Sequence, residues 1–343
     1  MSDSEGKPLR HRVSAAKTFF IGSVVLFGAI GAATWVKKNK EARELEPQIV
    51  EIPVSRARIV EPVAPQIVKA SRYTESRSSE PVAKPSDEIA EVNRISRLFA
   101  TDSSKLPIVE TVSFTSRVPW LKGRPAWISD YASFYETSRH FIARGLNKKA
   151  DYFTQKVTPG ARFNVFRKDK PINFHLLIDL SRCRMWFYYV DLEAGERMLL
   201  KTYRVGVGRQ DASRTSGYLT PIGKYSLGEK VAIYKPGTTG FFQDQKVEMI
   251  RVFGTRWMPF DKEIEGCTEE PKGFGIHGAP WVADSAGNVY EEKEKIGKYD
   301  SDGCIRLSAE DIEELFAIIL TKPTVVELVK DYTQAKLPGK EIQ

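Results

Sequence analysis

The sequence predicts a mainly β domain, preceded by a smaller helical or α+β region and by an N-terminal transmembrane helix. Three observations predict it. Short apolar runs with strand alternation fill the chain from Asn173 onward. Apolar residues recur at helical spacing within 87–168. Residues 18–36 contain no charged side chain.

The last run, TFFIGSVVLFGAIGAATWV, extends from Thr18 to Val36. As a helix rising ~1.5 Å per residue, it nearly spans a ~30 Å hydrocarbon core. Lys17 bounds it on one side and Lys37, Lys38 and Lys40 on the other, with Trp35 near one edge. A cleaved signal peptide is the rival, and Ala29 to Ala33 keep cleavage open. The apolar region is long for one, and no A-x-A site with a mature start stands out, so an uncleaved anchor is favoured. Charge alone does not orient it, because basic residues flank both ends. A short N-terminus, 1–17, and a large C-terminal body suit an N-in, C-out anchor in the inner membrane.

From 37 to 86 prolines punctuate a charged, serine-containing stretch, among them Pro47, Pro53, Pro62, Pro65, Pro81 and Pro85. Such a segment buries little apolar surface and predicts a disordered spacer. The smaller region, 87–168, follows. Ile89, Val92, Ile95, Leu98 and Phe99 predict one helix, and Tyr131 to Ile142 predict an amphipathic helix from about Ser129 to Leu146. His140 on that helix is expected to pack rather than react. Pro159–Gly160 marks a turn, and Phe163 and Val165 alternate like a strand. The end of this region loosely resembles a small glycan-binding module of the LysM type.

The β domain is expected over 169–332, with a tail at 333–343. NFHLLIDLS, RCRMWFYYV and MLLKTYRVGVG are its first strands. His175 and Cys183 lie among them and are assigned to structure. Hydrophobic residues make up 41% of the chain, enough for a core, and a net charge of +8 favours anionic partners. Nucleic acid is not expected, because no zinc-finger spacing or RNA-binding aromatic signature accompanies the charge. The three cysteines, Cys183, Cys267 and Cys304, show no CxxC spacing, so no metal site, cofactor or disulfide framework is indicated.

The chemistry concentrates in GFGIHGAP, Gly273 to Pro280, and in SDGCIRLSAEDIEELF, Ser301 to Phe316. Cys304 follows Gly303, which leaves the approach open and lets backbone N–H groups face an incoming carbonyl. Ser308 and Asp311 read as an N-cap box, with Ile312, Leu315, Phe316 and Ile319 at helical spacing behind it. The thiol therefore precedes a helix whose dipole lowers its pKa if aligned with it. His277, at the end of an apolar strand and before Gly278, is the only histidine close in sequence to Cys304. A neutral imidazole there can take a thiol proton. Arg306, two residues past the thiol on extended chain, shares its side and suits a substrate carboxylate.

The order HG, then Ser301-Asp302-Gly303-Cys304-Ile305-Arg306, resembles the signature of the YkuD-type L,D-transpeptidases. Thr220, Pro221 and Gly223 match the family's TPxG element, and Trp257–Met258–Pro259 match the stretch before its histidine. The resemblance covers about Asn173 to Val329. It implies a YkuD-like β-sandwich with a short helix after the nucleophile. It implies Cys304 as nucleophile, His277 as base, Gly278 as the carbonyl that orients the imidazole, and Gly303 in the oxyanion region. Arg306, Ser301, Trp257 and Met258 are then substrate-binding. Asp302 departs from the pattern, because many members carry histidine or another basic residue there. An anion near a thiolate raises its pKa. The stretch between His277 and Cys304 is also longer than usual, so 281–299 is expected to be an inserted flap, either a solvated loop or a lid over the donor peptide.

The reaction implied is attack by Cys304 on the stem tetrapeptide of peptidoglycan, outside the cytoplasm. Aminolysis of the thioester gives a 3→3 crosslink, and hydrolysis gives an L,D-carboxypeptidase. Two other readings stay open: a papain-like hydrolase using Cys183 or Cys267, and a wall-binding protein with a degenerate site.

Overall fold

The computed structural model describes residues 91–147, 157–242 and 245–342. The expected cytoplasmic terminus, membrane span and proline-rich spacer lie outside the described residues. No helix among the described residues is long and apolar enough to cross a membrane.

The helix expected from Asp87 is a single turn, Ser96–Phe99. Before it, Asn93 bridges to Lys201 and the Arg94 N–H donates to the Leu200 carbonyl, so the chain is held as an extended edge instead. Strand β1 (Val109–Ser113) pairs antiparallel with β2 (Arg162–Phe166) after the turn at Gly160. Between them lie two helices, Ile128–Phe134 and Arg139–Asn147, where the sequence predicts one. Local polar chemistry makes the break. Glu136 adopts a φ of 48°, and Thr137 Oγ1 accepts the Phe166 N–H at 2.8 Å. Ser138 Oγ accepts the Phe141 N–H and donates to the Ala317 carbonyl. Hydroxyls that bond backbone in this way compete with the helical ladder. The same bonds fasten the break to β2 and to the helix Ala309–Ile319 that follows Cys304.

The larger part contains β3 (Ile172–Asp179), β4 (Arg184–Asp191), β5 (Glu196–Arg204), β6 (Val207–Gly208), β7 (Gly223–Leu227) and β8 (Val231–Ala232). Next come β9 (Thr239–Phe242), β10 (Gln245–Glu248), β11 (Arg256–Glu265), β12 (Gly275–Gly278), β13 (Trp281–Ala283) and β14 (Val289–Glu291). Then follow β15 (Tyr299–Ser301), β16 (Ile305–Leu307), β17 (Thr324–Val329) and β18 (Lys340–Ile342). The main sheet has ten strands in the order β16-β12-β11-β7-β17-β3-β4-β5-β18, with β8 on β11. The expected sandwich is thus one continuous curled sheet. Strand β11 makes the curl: its first half pairs with β12, and its second half pairs with β7 through register shifts. Bulges of this kind bend a strand and increase its twist.

The helix Ala309–Ile319 closes the concave side. Ser308 Oγ accepts the Asp311 N–H at 3.1 Å, so the cap read from the sequence is present. Ile312, Leu315, Phe316 and Ile319 face the core, each worth about 1.5–3 kcal/mol of burial. Lys201 of β5 bonds Asp311 at 2.9 Å and Glu314 at 2.6 Å, and the Tyr203 hydroxyl donates to Glu314. These bonds mount the helix on the sheet.

His175 and Cys183 take structural places. His175 Nε2 lies 2.8 Å from Glu327 Oε2 between β3 and β17, and Cys183 is buried in the main core. His140 is buried against Phe316 and shares a 3.1 Å hydrogen bond with the Tyr234 hydroxyl, the packing role expected of it.

Candidate active site

Register places the site residues. On β12, His277 stands opposite Trp257 of β11 and opposite Arg306 of β16. Cross-strand partners share a sheet face, so these three side chains form one rung. Cys304 sits immediately before β16, two residues from Arg306, and packs against the apolar cluster that contains Trp257 and Phe253. The neighbouring rung, Met258, Ile276 and Ile305, points the other way and is fully buried in the main core. Met258 is therefore a core residue, not the substrate contact the sequence reading made it. Its alternation with Trp257 is the strand period of two.

His277 is 4% exposed. Its Nδ1 lies 2.7 Å from the Gly278 carbonyl, which can only accept. That fixes the proton on Nδ1 and leaves a lone pair on Nε2. Phe253 meets the ring edge-on, with centroids 5.6 Å apart. Burial, and then the Arg306 cation, push the imidazole pKa down to about 3. Contact with the Gly278 carbonyl opposes this only in part. The histidine is neutral across the physiological range.

Cys304 is half-buried. Its thiol donates to the Gly273 carbonyl, with Sγ 3.5 Å from the oxygen. Burial pushes the thiol pKa up to about 11, while the Gly275 N–H and Arg306 pull it down and Asp302 adds a little upward. The helix dipole is not the influence the sequence suggested. Strand β16 separates the thiol from the helix cap at Ser308. The resting site holds a neutral thiol and a neutral imidazole that share the aromatic neighbours Phe253 and Trp257.

The turn that presents the thiol is tied down from below. Gly303 has a φ of 123°, and a Cβ there would meet the Phe274 ring at 2.5 Å and the Leu219 carbonyl at 2.8 Å. Ser301 is buried, and its hydroxyl accepts the Gly303 N–H at 3.1 Å and donates to the Cys304 carbonyl at 2.6 Å. The Gly303 N–H is therefore already bonded rather than aimed at an oxyanion. The Ser301 side chain likewise faces the turn rather than a substrate. Thr220 completes the tether: its Oγ1 accepts the Gly208 N–H at 2.7 Å and donates to the Gly303 carbonyl at 2.9 Å. Sequence reasoning quoted Thr220 only as part of a motif. A fixed threonine ahead of Pro221 was the signal that could have marked it.

Arg306 donates to Asp300 Oδ2 at 3.0 Å, while its buried Nε has no partner. Asp300 is a neighbour the sequence reading did not name. Asp302 is exposed and pairs with Arg209. The excursion at 281–299 opens with the hairpin β13–β14, whose Trp281 packs against the same cluster as Cys304. Its far end is fastened: the Glu291 carboxylate accepts the Ala309 N–H at 2.6 Å, and β15 pairs with β6. Among the described residues no three His, Cys, Asp or Glu side chains gather as a metal site needs.

Residues 173–328 match the YkuD family, the L,D-transpeptidase catalytic domain. No curated protein matches the chain. Among solved structures, the helical cell shape determining protein Pgp2 from Campylobacter jejuni is similar at 19% identity and a TM-score of 0.33, over 50% of this chain and 51% of that one. Bd1075 from Bdellovibrio bacteriovorus is similar at 14% identity and a TM-score of 0.30, over 46% of this chain and 48% of that one. This chain thus spans about half the length of each.

Proposed function

Because residues 173–328 belong to the YkuD family of L,D-transpeptidase catalytic domains, we propose that the chain transfers acyl groups of peptidoglycan stem peptides, with Cys304 as nucleophile and His277 as base. The observation that carries this reading is the neutral imidazole. Its Nδ1 is held on Gly278, so its lone pair stays available, and its cross-strand partner Arg306 is two residues from Cys304.

With the imidazole pKa near 3 and the thiol near 11, no thiolate–imidazolium pair exists at rest. The proton moves as the bond forms. Sγ attacks the carbonyl carbon before the terminal D-alanine, and its proton passes to His277 Nε2. The tetrahedral oxyanion takes the Gly275 N–H, which faces the sulfur, and the Cys304 amide. Collapse breaks the C–N bond, and the imidazolium returns the proton to the leaving amine. A thioester remains on Cys304. An amine of a second stem attacks it, His277 takes that amine's proton, and the thiol is restored with a 3→3 crosslink made. Water in place of the amine gives an L,D-carboxypeptidase. Arg306 serves the substrate carboxylate once Asp300 is displaced, and Trp257, in the cluster against which Cys304 packs, backs the thiol.

The papain-like alternative loses support, because Cys183 is buried in the core and the Cys267 thiol donates to the Lys224 carbonyl at 3.0 Å. Since the substrate lies outside the cytoplasm, we place the catalytic domain there, anchored by 18–36. An alkaline phosphatase fusion after the spacer reads this directly: activity supports it, and silence sinks it. For the reaction, a disaccharide-tetrapeptide is incubated with the wild type and with Cys304→Ala, and the products are separated. Loss of D-alanine release or of dimer formation in the variant alone is expected. Equal conversion by both removes Cys304 from the chemistry. A carbapenem mass adduct that disappears with Cys304→Ala identifies the acylated atom independently.

A further inference from the structure

Three hollows of about 680, 640 and 640 Å³ run end to end across the region before β3. The first and second share Ser116 and Pro125, and the second and third share Ser129 and Arg139. Through these shared residues the three hollows adjoin one another, and they are treated together as a groove. Its outer end is basic, with Arg117, Lys122 and Arg124. Its middle is apolar, built on Phe114, Ala126 and Trp127. Its inner end reaches Leu320 and Thr321, directly after the helix Ala309–Ile319.

Trp127 is 65% exposed, the highest value among the exposed large hydrophobic side chains described. Its mount is rigid. It caps the helix Ile128–Phe134, and its backbone N–H donates to Asp130 Oδ2 at 2.7 Å. Arg124 clamps Asp130 with two bonds of 2.8 and 2.6 Å. Every other exposed large hydrophobic among the described residues, from Leu192 to Tyr299, lies in the catalytic domain. A protein or membrane docking face needs a contiguous apolar patch. One isolated, rigid indole does not supply it. What it supplies is a flat apolar platform as wide as a single ring, in a hollow also lined by Ser116 and Ser129. That pattern matches a sugar, which is apolar on its face and hydroxylated at its rim. Arg117 and Lys122 are exposed and enter no salt bridge among the described residues, so they complement carboxylates carried on the same polymer.

We propose that this groove binds a glycan strand with carboxylate-bearing substituents, and that Trp127 stacks on one of its sugar rings. The inference rests on the peptidoglycan reading above and says where the sugar backbone of that polymer runs.

The test uses the full chain in detergent, carrying Cys304→Ala so that no acyl-enzyme forms. The probes are an N-acetylglucosamine hexamer, followed by calorimetric titration, and purified sacculi, followed by co-sedimentation. Trp127→Ala is expected to weaken hexamer binding at least tenfold, whereas Trp127→Phe keeps most of it and shows that the region is folded. Arg117→Glu with Lys122→Glu is expected to weaken binding to sacculi and to leave the uncharged hexamer unaffected. Equal hexamer binding by Trp127→Ala and its parent overturns the proposal. A loss seen with anionic phospholipid vesicles and not with sugar overturns it as well. With Cys304 restored, the chain is expected to be acylated by a carbapenem. A chain that binds glycan but never acylates sinks the enzymatic reading and leaves the groove standing. A chain that acylates but ignores glycan does the reverse.

Discussion

Two strands of the same sheet each carry a histidine buried to 4% exposure, His175 on β3 and His277 on β12. Their partners differ in kind. His175 meets the Glu327 carboxylate, whose other oxygen already accepts the Lys336 N–H at 2.7 Å. That pair joins β3 to β17. His277 has a backbone carbonyl on Nδ1, an aromatic edge at its side and a cross-strand partner, Arg306, two residues from Cys304. Equal burial therefore leaves the two histidines in different company: a carboxylate for His175, and for His277 the aromatic cluster that Cys304 also joins, as the proposed base requires.

Exchange of each histidine tests that contrast, and the largest effect is expected at position 277. His277→Ala should lower the acylation rate by about 10²–10⁴-fold, the usual worth of a general base, with the fold retained by circular dichroism. His175→Ala should do the opposite. It strands a buried carboxylate and costs about 3–5 kcal/mol in chemical denaturation, while the rate per folded molecule changes little. If His175→Ala loses as much activity as His277→Ala at equal folded fraction, the distinction fails.

The pH profile sharpens the same contrast. The active form needs neutral His277, whose pKa of about 3 lies far below the usual 6.5. The rate of carbapenem acylation should then stay flat from about pH 5 to pH 9, with no inflection where an ordinary imidazole titrates. An acid limb centred between pH 6 and 7 breaks it. Stability carries its own sign. The folded pKa is depressed, so the contribution from neutral His277 is complete above about 6.5 and is lost as pH falls toward 3. Acid denaturation should therefore set in before the base protonates in the folded state.

Smaller effects are expected at the tether and at the rim. Thr220→Val removes two hydrogen bonds beneath the nucleophile turn and should cost about 1–3 kcal/mol of stability with roughly tenfold slower acylation. An unchanged rate would mean that Ser301 alone holds the turn. Asp302→Asn removes an exposed charge that solvent largely screens, and less than about twofold acceleration should follow.

Much of this arrangement is written in local sequence. Glycine-flanked Cys304 and His277 stand out because few side chains tolerate those turns, and the Ser308 cap is a four-residue signal. Strand alternation in 173–207 is equally direct. What escaped was set by partners distant in the chain. The break at 135–138 depends on Thr137 and Ser138 bonding Phe166 and Ala317, which no window of the sequence contains. The bonding of the Gly303 N–H depends on how the turn folds onto Ser301. The facing of Met258 was within reach, since neighbours on a strand must point apart, and grouping it with Trp257 as one motif obscured that.

The rung Trp257–His277–Arg306 is closed by sheet hydrogen bonds on both sides of the 281–299 excursion, which leaves β12 and comes back at β15. The length of that excursion is thus decoupled from the spacing of base and sulfur. The tip of the hairpin, at 284–288, can be shortened or lengthened without touching the strand pairs that space the imidazole and the sulfur.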